Sequence, residues 1–320
     1  MELIIKPTGR CNFNCKFCSA HDLDILHPSN NCVHDKIKDL IYRIKPNRLI
    51  VTGGEPLMVN PEYYYNLHEI SECEISITSN LKDFYINTDK WIDLFNENWF
   101  AVVTSFNYGN SRLWDKNTNY SEEMFINVVN KFNSVVNKKL NCFIAVIDYD
   151  NEDRVMDHVL LAKKLGMKVR INNALGIGLQ DITYPRYKMY RHYIDIIDAG
   201  YASYEINCYE RFVSKCPRNI NFSCYENIRC TYVDNNGNLH VGMCDEQLSL
   251  GLELNDDEIL KAKTLADHHK EFINENCIYC NLFRICNGCK TNRYLSSKDD
   301  KYCEEMKKLE KDLIRQGWLM

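Results

Sequence analysis

The chain has 320 residues, 45% hydrophobic and 26% charged, a globular composition long enough for about two domains and a large core. No stretch approaches the roughly 20 apolar residues of a membrane span, and Met1-Glu2-Leu3-Ile4-Ile5-Lys6 lacks the layout of a signal peptide, so the sequence reads as cytoplasmic. A net charge of −5 excludes the broad positive field of non-specific nucleic-acid binding; neither nucleic acid nor a membrane is an expected partner.

Along the first 200 residues short apolar runs alternate with amphipathic segments. Strands are predicted at Glu2–Lys6, Arg48–Thr52, Glu74–Ser79, Phe100–Ser105, Cys142–Ile147 and Lys168–Ile171. Helices are predicted at Val33–Ile44, Pro61–Glu69, Lys90–Asn96, Glu122–Asn133, Val155–Leu165 and Arg186–Ala199. Such a βα series implies a parallel sheet covered by helices, either open and doubly wound or a barrel. Near Tyr201 the alternation stops and loops carrying Asn, Gly and Asp take over, which places a domain boundary near residue 200: 1–200, then 201–320. Glu304–Trp318 reads as a closing amphipathic helix.

The outlier is cysteine, with 16 residues. With no sign of secretion, metal ligation and catalysis are the expected uses. Cys11, Cys15 and Cys18 form C-x3-C-x2-C just after the first strand. Structural zinc wants four protein ligands, and the nearest further candidate is His21; an iron–sulfur cubane held by three cysteines keeps one iron open. A zinc site completed from elsewhere in the chain is the alternative. After the second strand comes Val51-Thr52-Gly53-Gly54-Glu55-Pro56, a tight turn at the C-terminal end of a strand, where parallel barrels gather their chemistry.

These two motifs, with Phe17 before the last cysteine, resemble the signature of the radical S-adenosylmethionine (radical SAM) superfamily. The resemblance implies a 4Fe–4S cluster on Cys11, Cys15 and Cys18 whose open iron chelates S-adenosylmethionine. One electron then releases a 5′-deoxyadenosyl radical, which abstracts hydrogen from an unactivated carbon. An electron donor of flavodoxin or ferredoxin type is implied as a partner. Gly53, Gly54 and Glu55 are expected at the methionine ammonium, and Asn80 and Ser105, at the ends of strands three and four, at ribose or carboxylate. Strand-end capping is the other reading of the Ser79-Asn80 pair and of Ser105. Arg170 suits either a ligand carboxylate or a surface salt bridge.

Eight later cysteines read Cys224, Cys230, Cys244, then Cys277, Cys280, Cys286, Cys289 and Cys303. Spacing alone fits two zinc sites or two iron–sulfur clusters. Their order resembles the SPASM extension of peptide-modifying and sulfatase-maturing radical SAM enzymes. That resemblance implies two auxiliary 4Fe–4S clusters, three in all. The nearer takes Cys224, Cys230, Cys244 and Cys289, the farther Cys277, Cys280, Cys286 and Cys303. Val233–His240 looks like the hairpin before the third cysteine of that extension, with Gly237 at its turn. Two loop lengths depart from it: six residues separate Gly237 from Cys244, and only two separate Cys286 from Cys289.

The implied fold is a partial (β/α)6 TIM-type barrel followed by a cysteine-rich SPASM domain. The implied reaction is hydrogen abstraction from a peptide or protein side chain, then oxidation or C–X bond formation. Asp245, next to Cys244, is the candidate base; a surface aspartate is the plain reading. The alternative reaction is oxidation or epimerisation of a small sugar- or aminoglycoside-like substrate. Five cysteines remain: Cys32, Cys73, Cys142, Cys208 and Cys216. Cys73 and Cys142 read as small buried residues, while Cys208 and Cys216 are candidate hydrogen-atom donors or spare buried thiols. Tyr184, Tyr187, Tyr190 and Tyr193 form a stripe suited to packing or to a substrate-facing ridge. With the first strand starting at residue 2, a peptide substrate is expected to dock on the barrel, the auxiliary domain or a separate leader-binding protein.

Overall fold

The computed structural model describes residues 2–18, 20, 23–174, 182–210, 228–242, 247–250, 279–286, 302–315 and 317. Six parallel strands come in chain order: β1 (Glu2–Ile5), β2 (Arg48–Val51), β3 (Glu74–Ser79), β4 (Phe100–Ser105), β5 (Cys142–Ile147) and β6 (Lys168–Asn173). Consecutive strands pair in parallel, the usual neighbour relation of successive βα units. In β5 the alternation is complete: Phe143, Ala145 and Ile147 are fully buried while Cys142, Ile144 and Val146 are half-buried. One face therefore meets the helices and the other faces the barrel interior.

The helices are α1 (Asp35–Ile44), α2 (Pro61–Ser71), α3 (Lys82–Ile86), α4 (Thr88–Asn96), α5 (Glu122–Val135), α6 (Val155–Lys164) and α7 (Arg186–Asp198). Their buried stripes carry the bulk of the core, for example Trp91, Leu94 and Phe95 on α4 and Phe125, Val128, Val129 and Phe132 on α5. Boundaries follow capping chemistry. His34 accepts from Lys36 N and starts α1 two residues later than the apolar pattern suggests. Pro61 opens α2, and the Ser121 side chain accepts from Met124 N to cap α5. The short α3 has no apolar period long enough to be read in the sequence. β6 runs two residues past the expected end, because its pairing with β5 continues to Ile147↔Asn173.

The barrel is partial. β1 does not meet β6 but pairs in parallel with β7 (Ile228–Val233), which continues into antiparallel β8 (Leu239–Gly242) and β9 (Gln247–Leu250). Among the described residues the strand order is β6-β5-β4-β3-β2-β1-β7-β8-β9. The β7–β8 hairpin turns at Gly237 (φ 82°), as the sequence leads one to expect. Beyond β6 the chain adds α8 (Ile206–Cys208), α9 (Phe283–Cys286) and α10 (Tyr302–Arg315). α10 begins two residues before the expected start, with Tyr302 buried, and lays Tyr302, Met306, Leu309 and Leu313 into the core. No helix among the described residues is long and apolar enough to cross a membrane.

Candidate active site

The loops at the C-terminal ends of β1 to β5 converge. The cysteine loop after β1 and the Gly53–Pro56 turn after β2 are joined backbone to backbone, Gly54 N to Thr8 O and Glu55 N to Arg10 O, both at 2.8 Å. A Cβ on Gly54 would lie 2.2 Å from Arg10 O, and one on Gly53 (φ +122°) 2.7 Å from Thr8 O. The glycines are thus required by the close approach of the cysteine loop itself.

Glu55 is 2% exposed. Its Oε1 accepts from Leu57 N (3.0 Å) and Ser79 Oγ (2.6 Å), and Oε2 accepts from Asn80 N (2.8 Å). Burial pushes its pKa up to about 7 against these donors. The carboxylate braces β2 to β3. Ser79 Oγ also accepts from Leu81 N, the capping reading of that residue. Asn80 does more: its Nδ2 donates to Asn12 Oδ1 at 2.8 Å and lies 3.9 Å from Cys11 Sγ.

The outer wall is the loop after β4, which the sequence did not single out. Lys16 N donates to Ser111 O and Asn14 N to Leu113 O, and Phe13 packs against Trp114 and Tyr120. Lys82 Nζ donates to Asn12 O (3.3 Å) and Trp114 O (2.5 Å), tying wall to loop. Arg112 is 7% exposed; it donates to Ser105 Oγ (2.8 Å) and Asn107 Oδ1 (3.2 Å) and lies 5.4 Å from the Phe17 ring. A lone arginine in a polar loop carries no signal in one sequence.

Cys11, Cys15 and Cys18 are half-buried and outside any disulfide. Phe13 N donates to Cys11 Sγ and Ala20 N to Cys18 Sγ, both at 3.4 Å. Burial pushes the Cys11 thiol up to about 12, with Glu55, Cys15 and Cys18 adding to the effect. Among the described residues no three Cys, His, Asp or Glu side chains are already gathered as a metal-binding group. The donor set nevertheless suits an iron–sulfur cluster: three thiols on one short loop, two of them accepting backbone N–H bonds of the kind that tune cluster sulfurs.

The decisive comparison concerns this same stretch: the model of the Radical SAM superfamily matches residues 5–180, more than half of the chain. The chain belongs to the radical SAM superfamily. Members use a 4Fe–4S cluster and S-adenosylmethionine, so this chain is an enzyme of that kind. No curated protein sequence matches it. Among solved structures, native anSMEcpe with bound AdoMet and Cp18Cys peptide is 17% identical, with a TM-score of 0.69 covering 98% of this chain and 97% of that one. Streptococcus suis SuiB bound to S-adenosylmethionine is 17% identical, with a TM-score of 0.61 covering 91% and 73%. SuiB bound to the precursor peptide SuiA gives 17% identity and 0.59, covering 91% and 72%. At these identities the likeness is one of fold.

The remaining expected residues of this radical SAM chain divide. Asp245, Cys216, Cys224, Cys244, Cys277 and Cys289 lie outside the described residues, and Cys230 is placed by its backbone on β7. Cys280 and Cys286 are half-buried and Cys303 is exposed on α10. Cys208 is not brought to the site. It is fully buried on α8, its thiol directed at Tyr193 O (3.6 Å) and its pKa raised by burial, so no substrate reaches it in this structure. Tyr184, Tyr190 and Tyr193 are buried, the packing alternative. Arg170 meets Glu210 at 3.2 Å and Asn207 at 2.9 Å, the salt-bridge alternative.

A cavity of about 350 Å³ opens beside Lys16, lined also by Ser111, Asp148, Tyr149, Asp150, Ile182 and Thr183. Asp148 follows β5 and is 2% exposed; its carboxylate hydrogen-bonds the Ser111 side chain and accepts from Asp150 N at 2.8 Å, and burial raises its pKa.

Proposed function

We propose that the chain is a radical SAM peptide maturase. The observation that carries this reading is the likeness of fold over nearly the full length to anSMEcpe, whose structure holds AdoMet and a peptide. The precursor peptide bound by SuiB supports it further. No observation favours a sugar-like substrate.

Cys11, Cys15 and Cys18 hold the radical-generating cluster. When bound, that cluster supplies the electron that splits S-adenosylmethionine into methionine and the 5′-deoxyadenosyl radical. Ser105 and Arg112 present a hydroxyl and a buried guanidinium to the methionine carboxylate, while Asn80 and the Gly53–Glu55 backbone fix the floor. Asp148 and Ser111 accept and orient polar groups of the peptide near Lys16. Residues 201–320 form the auxiliary region, in which Cys224, Cys230, Cys244 and Cys289, and Cys277, Cys280, Cys286 and Cys303, hold two further clusters. If those clusters are loaded, they would supply an acceptor for the electron lost on substrate oxidation, and Asp245 would take the proton. A flavodoxin- or ferredoxin-type donor supplies electrons, and a separate protein presents any leader segment.

Anaerobic reconstitution tests the reading. It should give about twelve irons per chain and a brown chromophore near ~400 nm; zinc without colour would sink it. With dithionite and S-adenosylmethionine the protein should release 5′-deoxyadenosine, and Cys15→Ala should not. Asp245→Asn should keep this cleavage yet block turnover of a peptide substrate. Undiminished product would remove Asp245 as base.

A further inference from the structure

Arg186 is the first residue of α7 and adjoins the end of β6. It is 7% exposed. Nη1 donates to Asn173 Oδ1 at 2.9 Å, while Nε is buried without a hydrogen-bond partner. Its other neighbours are the phenols of Tyr190, to which it also hydrogen-bonds, Tyr193 and Tyr302, and no carboxylate among the described residues pairs with it. A buried charge left uncompensated costs several kcal/mol, about the scale of a whole domain's stability margin. The position aggravates the cost. The helix dipole at the first turn of 13-residue α7 favours an anion, and that turn carries no acidic residue. Guanidinium and helix end therefore both call for the same missing partner, a negative charge.

Two of the tyrosines lead from Arg186 to the cysteine-rich segment. The guanidinium lies 5.8 Å from the Tyr190 ring, whose hydroxyl donates to Ile285 O at 2.8 Å. Tyr302 Oη, buried on α10, accepts from Cys286 Sγ at 3.8 Å. Cys286 and Cys280 are half-buried and pack on the same core. An iron–sulfur centre held by four thiolates is itself anionic, and becomes more so on reduction. It fits a pocket wall that offers thiols and one cation unpaired by any carboxylate among the described residues.

We propose that Arg186 is the counter-cation of the auxiliary iron–sulfur centre containing Cys280 and Cys286, and that it raises that centre's reduction potential. This rests on the reading of the C-terminal cysteines as cluster ligands. A fixed positive charge stabilises the reduced, more negative state more than the oxidised one. The centre is thereby a better acceptor for the single electron that a substrate radical gives up when its proton leaves. Arg186 acts as a positioning residue, through the cluster's charge and without touching the substrate.

The test is an EPR-monitored redox titration of the anaerobically prepared holoprotein, with Arg186→Lys and Arg186→Gln alongside. Arg186→Gln should leave one auxiliary centre about tenfold less reduced at fixed poise, a shift of about −59 mV for one electron. Arg186→Lys should stay near the parent. If Arg186→Gln loses the centre outright, iron should fall from about twelve to about eight per chain while Arg186→Lys keeps its full complement; that result also supports the role. Unchanged midpoints in fully loaded Arg186→Gln, or equal losses in both variants, would overturn it. A parent protein holding only about four irons would instead sink the reading of the C-terminal cysteines, whatever the variants do.

Discussion

Gly54 and Gly166 separate two kinds of glycine requirement. A methyl on Gly54 collides with Arg10 O, whereas Gly166 (φ +66°) has nothing within 4 Å of its would-be Cβ. Gly54→Ala should therefore force the cysteine loop off β2, costing about 1–3 kcal/mol and sharply reducing iron retained by the loop. Gly166→Ala should cost about 1–2 kcal/mol of backbone strain and leave iron content intact. Denaturant midpoints and iron assays on both variants check the contrast. Glu205 gives a pH signature. It is fully buried, accepts from Ile171 N and Cys208 N, and burial raises its pKa to about 7. A carboxyl whose folded pKa lies above the unfolded one favours folding while protonated. Its contribution is full below about pH 4.5 and is lost as pH rises toward 7, at up to about 1.4 kcal/mol per unit. Glu55 works in the same direction. His158, lowered to about 4 by burial, opposes both between about pH 4 and 6.5. Thermal melts across pH 4.5–7 should show a shallower fall in Glu205→Gln than in the parent; equal slopes would refute the assignment.

Among the elements, the loop after β4 is the one whose importance no period reveals. Lys82, at the start of α3, holds that loop and the cysteine loop together through two backbone carbonyls and lies 4.7 Å from the Trp114 ring. Lys82→Met should keep the helix but loosen the wall. Iron loss to a chelator should speed up several-fold, read by the fading chromophore. Ser121→Ala removes the cap of α5 and should cost about 1 kcal/mol while leaving 5′-deoxyadenosine formation unchanged. The strands themselves were legible because alternate residues such as Phe143, Ala145 and Ile147 face a covered layer. α3 escaped because five residues cannot display a helical stripe.

At the scale of the molecule, α10 closes the structure against α7 through buried side chains and an Arg191–Asp312 pair. The pair is partly exposed, so Arg191→Ala should cost less than about 1 kcal/mol. Leu309→Ala removes a side chain that is 4% exposed and should cost about 2–5 kcal/mol. Comparing the two denaturant midpoints decides which interaction carries the closure. The sheet makes a related point: β7 to β9 come from beyond residue 200 yet extend the barrel sheet past β1. A change in sequence character at residue 200 therefore does not mark where pairing ends.

The sequence by itself determined the family, the C-x3-C-x2-C loop after the first strand and the alternation that builds a parallel sheet. These depend on residue type and short-range spacing, which one chain displays in full. The excess of 16 cysteines became interpretable because eleven fall into ordered groups. Only the tertiary structure decided that Gly53 and Gly54 serve loop-on-loop packing, that Glu55 is a brace, and that Cys208 is sealed in the core. It alone also decided that Arg112 is buried against Ser105 and Asn107, that Asp148 is buried beside Ser111, and that Arg186 has a buried Nε with no hydrogen-bond partner. Burial and unmet demand belong to groups brought together from distant positions, and no local pattern encodes them.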